Sequence, residues 1–309
     1  MRVLITLQEI VMRMYKGLVL AAGIALICAC SGNYEKRHIT KDLARPNVVY
    51  AGMRSSSYGI RPFPGPGQWQ SAADSMVSWF PGSQPCAVWI VGTMHRPDSC
   101  FLQFPDNGVS CTNTAFDTTD RHEPYLDWFD SCGVKVFLQV EPGSADVITL
   151  MDAVMRQYGH HQCVVGFGVD VEWFRESECK GWGVPVTDRQ AEQWESHLKH
   201  YNDRYRLFLK HWDRKWMPET YRGDIIFITD SQILKNFRAM HKEFTLYWAD
   251  YFKPNMVGFQ IGYGSDRKWW GTLDVPPRDI GVATANSIEQ QCCVFWVDFT
   301  LREVFPHIN

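Results

Sequence analysis

The 309-residue sequence carries no long basic run, and at a net charge of −3 it lacks the positive surface that nucleic acid requires. It has no Cys-x-x-Cys pair and no His-rich stretch with ligand spacing. That pattern speaks against a structural zinc and leaves no metal or cofactor expected. No Gly-x-Gly-x-x-Gly and no phosphate-binding loop follows a strand pattern, because Gly166-Phe-Gly168 falls inside one. Nucleotide chemistry therefore has no anchor. Long apolar runs are also missing: the longest near the N-terminus, residues 17–29, is too short to cross a bilayer comfortably.

What the chain does have is apolar mass and aromatic rings. Hydrophobic residues make up 45% and aromatics 14%, enough for a full core with rings to spare. Thirteen tryptophans suggest stacking platforms for flat apolar faces such as sugar rings, although most tryptophans simply pack.

Arg13 and Lys16 precede the apolar run, and Ile27-Cys28-Ala29-Cys30-Ser31 follows it. The segment resembles a bacterial lipoprotein signal. The resemblance implies a signal over residues 1–30, lipidation of Cys30, and an exported, membrane-anchored protein. Residues 31–70 are mixed and polar and end in Arg61-Pro-Phe-Pro-Gly-Pro-Gly67, which reads as a tether. Eight cysteines remain downstream, and Cys100 and Cys111, bracketing a polar loop, are the best candidates for one disulfide.

From residue 71 to 309, apolar strands alternate with helical patterns, the signature of a parallel sheet. Strands are predicted at 87–93, 100–104, 134–141, 164–173, 206–212, 224–230, 256–263 and 293–300. Helices are predicted at 70–80, 145–158, 188–205 and 231–252, the last with Leu234, Phe237, Phe244, Leu246 and Trp248 on a core-facing stripe. Eight strands with intervening helices fit an α/β fold of the (β/α)8 TIM-barrel type, a single catalytic domain acting as a monomer.

The stretch Val164-Val-Gly-Phe-Gly-Val-Asp-Val-Glu-Trp173 is an apolar strand ending in two acids, Asp170 and Glu172. On one strand face their Cα atoms would lie roughly 6.6 Å apart. Two acids that close cannot both ionise freely, so one becomes a proton donor at neutral pH. Structural acids held in salt bridges are the alternative.

Barrel active sites form where strands finish. Those ends bring Gln139 and Glu141, Asp170 and Glu172, Lys210 or His211, Asp230, Gln260 and Tyr263, and Trp296 and Asp298 toward one mouth. Carboxylates beside flat aromatic surfaces are what glycosidic bond cleavage needs. Glu141, before Pro142-Gly143, could instead cap a helix, and Asp230, before Ser231, could be an N-cap. Lys210 and His211 alternate, so at most one faces the centre. His160 and His161 sit in a loop and are expected to be solvated. Trp269-Trp270 serves either as a sugar platform or as a hydrophobic plug.

The fourth-strand acids make the chain resemble glycoside hydrolase family 18, the chitinase and endo-N-acetylglucosaminidase barrels, whose strand reads Asp-x-x-Asp-x-Asp-x-Glu. The matching positions here are Val165, Gly168, Asp170 and Glu172, so the last two acids are kept and the first two are not. The resemblance implies Glu172 as general acid, Asp170 as the anion orienting a substrate acetamido group, and Tyr263 and Trp296 as late-barrel site residues. The resulting expectation is a glycoside hydrolase with a carbohydrate substrate. The substrate-binding set would be Gln139, Glu141, Asp230, Gln260, Trp296, Asp298 and His211. The alternatives are a non-catalytic glycan-binding lipoprotein and a metal-dependent deacetylase or esterase on the same barrel.

Overall fold

The computed structural model describes residues 44–95 and 98–308. The signal-type segment and Cys30 lie outside the described residues. Ten strands form one sheet: β1 Val48–Ser55, β2 Gln84–His95, β3 Ser99–Leu102, β4 Thr114–Phe116, β5 Lys135–Val140, β6 Val164–Asp170, β7 Arg206–Lys210, β8 Ile226–Thr229, β9 Val257–Ile261 and β10 Cys292–Val297. Eight of them, β1, β2 and β5 to β10, pair in parallel around a closed ring, with β1 joined to β10 on one side and β2 on the other. The structure is the expected (β/α)8 barrel.

Two expectations about its parts are corrected. Residues 100–104 are not a barrel stave. Ser99–Leu102 folds back antiparallel on the end of β2 and then carries the short β4, as an appendage outside the ring. The missing stave is β1, within the stretch read as a tether, so the barrel begins before residue 71. Val48-Val-Tyr-Ala-Gly-Met-Arg-Ser55 has the apolar, β-rich composition of a buried strand. The polar residues before it and the Pro/Gly run after it mask that signal when composition is averaged.

The helices are α1 Pro66–Val77, α2 Glu123–Cys132, α3 Val147–Tyr158, α4 Asp188–Tyr201, α5 Phe237–Lys242, α6 Arg267–Trp270, α7 Pro276–Ala285 and α8 Leu301–Val304. Among the described residues, no helix is long and apolar enough to cross a membrane. Caps fix their starts. Asp146 accepts from Thr149 N–H at 2.9 Å ahead of α3, and Thr187 with Gln190 closes a capping box ahead of α4. The predicted helix 231–252 starts later, at the Asn236 cap, and continues past α5 as a π-helical segment, Glu243–Ala249. Phe244 and Trp248, four residues apart, are buried, whereas Leu246, about half a turn from each, is 65% exposed and does not belong to the core-facing stripe.

Strand alternation separates two apolar layers. Phe167 and Val169 of β6 point outward into the large core between sheet and helices. Cys86, Val88, Phe137, Phe208, Ile226, Ile228, Met256, Cys293 and Phe295 form a second cluster inside the ring. Gly168 makes room for it: a Cβ there would lie 1.9 Å from the Phe208 ring. Phe208 in turn meets Phe137 edge-on at 5.8 Å. The eight described cysteines downstream of Cys30 are free thiols, and the expected Cys100–Cys111 disulfide is not formed. Cys100 is buried on β3, whereas the Cys111 thiol donates to the Thr149 carbonyl at 3.4 Å.

Candidate active site

The inward parity that fills the barrel with apolar side chains turns polar at its C-terminal end. On β6, Gly166 and Gly168 are followed by Asp170, and on β7 Phe208 is followed by Lys210, the register partner of Asp170. One residue past β8, after Ile226 and Ile228, comes Asp230. Beyond Phe137 and Gln139 of β5 comes Glu141. The strands thus deliver four acidic or basic groups to one mouth by simple period-two counting.

Lys210 is the hub. Its Nζ lies 2.6 Å from Asp230 Oδ2, 2.8 Å from Asp170 Oδ2 and 3.9 Å from Glu172 Oε1. Gln139 Nε2 donates to the same Asp170 oxygen at 3.2 Å. Burial opposes the charge on Lys210, yet Asp170, Asp230 and Glu172 together outweigh it and hold the ammonium well above its ordinary pKa. Burial pushes Asp170 up to about 7 against the pull of Lys210, with Asp230 and Glu141 adding to the rise. Burial likewise lifts Glu172 well above the usual glutamate range, and Asp170 contributes. Strand β6 stops at Asp170 and a 3-10 turn, Val171–Trp173, carries Glu172, so the two acids do not share a strand face as predicted. The turn nonetheless brings both to Lys210. The Asp170 side chain is 1% exposed and Glu172 16%, so Glu172 is the one an incoming molecule can touch.

A second network lies alongside. Tyr58 donates its hydroxyl hydrogen to Glu141 Oε1 at 2.5 Å, and the Met94 amide donates to Oε2 at 2.9 Å. Arg54, at the end of β1, donates to the Tyr58 oxygen at 2.6 Å and to Asp298 Oδ1 at 2.8 Å. Asp298 Oδ2 also accepts from the Ser56 amide and hydroxyl, so both its oxygens are occupied. The guanidinium lies beneath the adjoining Tyr58 and Phe299 rings, 5.2 and 5.1 Å from their centroids. These rings are 40% and 44% exposed, a flat apolar surface open to solvent at the mouth. Tyr263 faces Phe299 at 6.3 Å and donates to Gln260 at 3.3 Å. Burial, with the charge of Asp230, lifts its phenol well above the ordinary range.

Gln139, Glu141, Asp170, Glu172, Asp230, Gln260, Tyr263 and Asp298 are therefore brought together, and two expected site residues are not. Trp296 has the opposite parity to Phe295. It packs outward against Trp270 at 5.3 Å and donates to Thr300 at 2.9 Å. Trp270 is accordingly a plug beneath the seventh loop. His211, one residue past the inward Lys210, lies flat on Trp216 with ring centroids 5.1 Å apart. Its Nδ1 accepts from the Asp213 amide, its Nε2 donates to the Trp182 carbonyl, and burial lowers its pKa to about 4. Sequence reasoning missed Arg54, Ser56 and Tyr58 because they follow the unrecognised first strand. The alternation ending in Arg54 was the available signal. His161, expected to be solvated, is buried.

No protein-family model and no curated protein matches the chain. Among solved structures it is similar to a candidate alpha-L-fucosidase from Bacteroides thetaiotaomicron, with a TM-score of 0.50, 10% identity, and coverage of 91% of this chain and 98% of that one. An endo-1,4-beta-mannanase from Eisenia fetida overlays with a TM-score of 0.42 at 13% identity, over 81% of this chain and 84% of its own. An intracellular xylanase from Thermoanaerobacterium saccharolyticum overlays with 0.36 at 12% identity, over 83% and 89%. At such identities the likeness establishes the fold alone, and it does not single out glycoside hydrolase family 18.

Proposed function

We propose that the protein is a glycoside hydrolase, with Glu172 as the proton donor and Glu141 as the second carboxylate. One observation carries the reading: a partly open carboxyl group whose hold on its proton burial strengthens faces a mouth with a second, firmly held carboxylate and exposed aromatic surface. Glu172 would protonate the glycosidic oxygen as its bond to the anomeric carbon breaks. Glu141, fixed by Tyr58 and the Met94 amide, would meet the positive charge developing at that carbon or activate the water that replaces the leaving group. The exposed Tyr58 and Phe299 rings would carry the sugar face.

Asp170 takes a different part from the one family 18 implies. Lys210 and Gln139 hold one of its oxygens, so its role here is to keep the Lys210 ammonium in place rather than to orient an acetamido group. The reading retains the export and Cys30 lipidation expected from the N-terminal signal, and a carbohydrate as the partner. Glu172→Gln, assayed on a panel of glycans, should lower kcat by about 10²- to 10⁴-fold with the melting curve unchanged. Hydrolysis retained by the variant rejects the assignment. The Lys210 ion pairs, which engage Asp170 and Asp230, favour a second reading: a barrel that binds glycans without cleaving them. Tight oligosaccharide binding by calorimetry with no reducing ends released would establish it.

A further inference from the structure

Far from the mouth, at the other end of β6, lies a cluster that the proposed chemistry does not use. The loop entering that strand carries His160 and His161, and both present Nε2 to Glu123 Oε1 at the start of α2, each at 3.4 Å. All three donor atoms lie within 4.8 Å of one another. The length of β6 separates this cluster from Asp170 by about 20 Å.

His161 gives the cluster its meaning. Its side chain is 2% exposed, and its Nδ1 is 2.7 Å from Asp130 Oδ2, a carboxylate already fixed by the Cys163 amide on its other oxygen. A carboxylate can only accept, so Nδ1 carries a hydrogen, and Nε2 is the nitrogen turned toward Glu123. That buried Nε2 makes no hydrogen bond, and neither does the buried Oε2 of Glu123. His161 thus aims a buried nitrogen that has no hydrogen-bond partner at a carboxylate oxygen 3.4 Å away. A cation held between them would give both a partner. Two ligands each about 2.0–2.1 Å from a tetrahedral zinc stand about 3.4 Å apart, which is the spacing found here for both histidines. Asp130 supplies the outer carboxylate that orients a metal-bound imidazole.

We propose that Glu123, His160 and His161 form a binding site for a divalent transition-metal ion of the zinc class. Two imidazole nitrogens and one carboxylate oxygen suit such an ion better than calcium or magnesium, which favour all-oxygen shells. The site clamps the first turn of α2 to the loop feeding β6. An alternative set, Asp130, His161 and Cys163, is also close enough, but a metal between Asp130 Oδ2 and His161 Nδ1 would displace the hydrogen bond that joins them. The proposal stands whether or not the mouth cleaves glycans.

The test is zinc titration by calorimetry into the chelator-treated full chain, with the melting curve as a second measurement. One site is expected, and zinc at a hundred times Kd should raise the melting midpoint by about 5 °C or more. His160→Ala and Glu123→Gln should each weaken binding at least tenfold. His160 is 60% exposed, so its variant should melt like the parent when zinc is absent. Asp130→Asn should weaken binding by about 10- to 100-fold. No binding up to millimolar zinc, or an affinity unchanged in either His160→Ala or Glu123→Gln, overturns the site and leaves an ordinary histidine–glutamate ion pair.

Discussion

Replacing Lys210 by methionine removes one charge and almost no volume from the barrel mouth. In the parent, Nζ lies 2.6 Å from Asp230 and 2.8 Å from Asp170, with the lysine side chain 3% exposed. At an effective dielectric constant of about 20, each contact contributes about 6 kcal/mol of attraction, opposed by several kcal/mol of desolvation for each ion. The net value of the cluster is therefore modest, but truncating one partner is not. Two carboxylates would be left buried without their cation, and losses of about 3–5 kcal/mol are typical for that situation. The deficit should also depend on pH. Unfolded aspartates ionise near 4, burial already holds Asp170 up at about 7 in the parent, and loss of the ammonium, which pulls it down, raises it further. The folded state of either protein then holds more protons than the unfolded one, and both lose stability as pH rises above 4, the variant more than the parent. Urea unfolding of parent and variant at pH 7 and pH 5 reads both quantities. The expected result is a deficit of about 3–5 kcal/mol at pH 7 that is smaller at pH 5, with m unchanged. A deficit below about 1 kcal/mol, or one larger at pH 5 than at pH 7, would refute the view that Lys210 balances buried charge.

Two further substitutions probe the mouth and its floor. Tyr58→Phe removes the hydroxyl that Glu141 accepts and Arg54 donates to. Initial-rate assays on any cleaved glycan should show kcat reduced about tenfold or more with little change in melting temperature, and an unaltered kcat would detach Glu141 from the chemistry. Gly168→Ala places a Cβ 1.9 Å from the Phe208 ring, so scanning calorimetry should show a loss of at least about 1–3 kcal/mol. A neutral result would mean the interior rings are loosely held.

Seven of the eight staves were legible because each is an apolar run between turn signals, and the parity of the acids at their ends follows from strand geometry. The reading failed where composition was averaged across a boundary. Val48–Ser55 is a buried strand, but it sits between polar residues and a Pro/Gly run, and losing it also lost Arg54, Ser56 and Tyr58. It failed again where a one-residue choice decides the face. His211 and Trp296 look chemically more eventful than Lys210 and Phe295, yet alternation sends the former pair outward and the latter inward. The link between His161 and Asp130, 31 residues apart, has no local signal at all. Only the packing of the α3–β6 loop on α2 creates it.

The rings of Phe137, Phe208 and Phe295 leave the barrel with a closed floor. Traffic is consequently one-way in and the same way out: a long chain cannot be drawn through the molecule like thread through an eyelet. Whatever meets Glu172 must lie across the rim or dip an end into it, and must back out before the next can arrive.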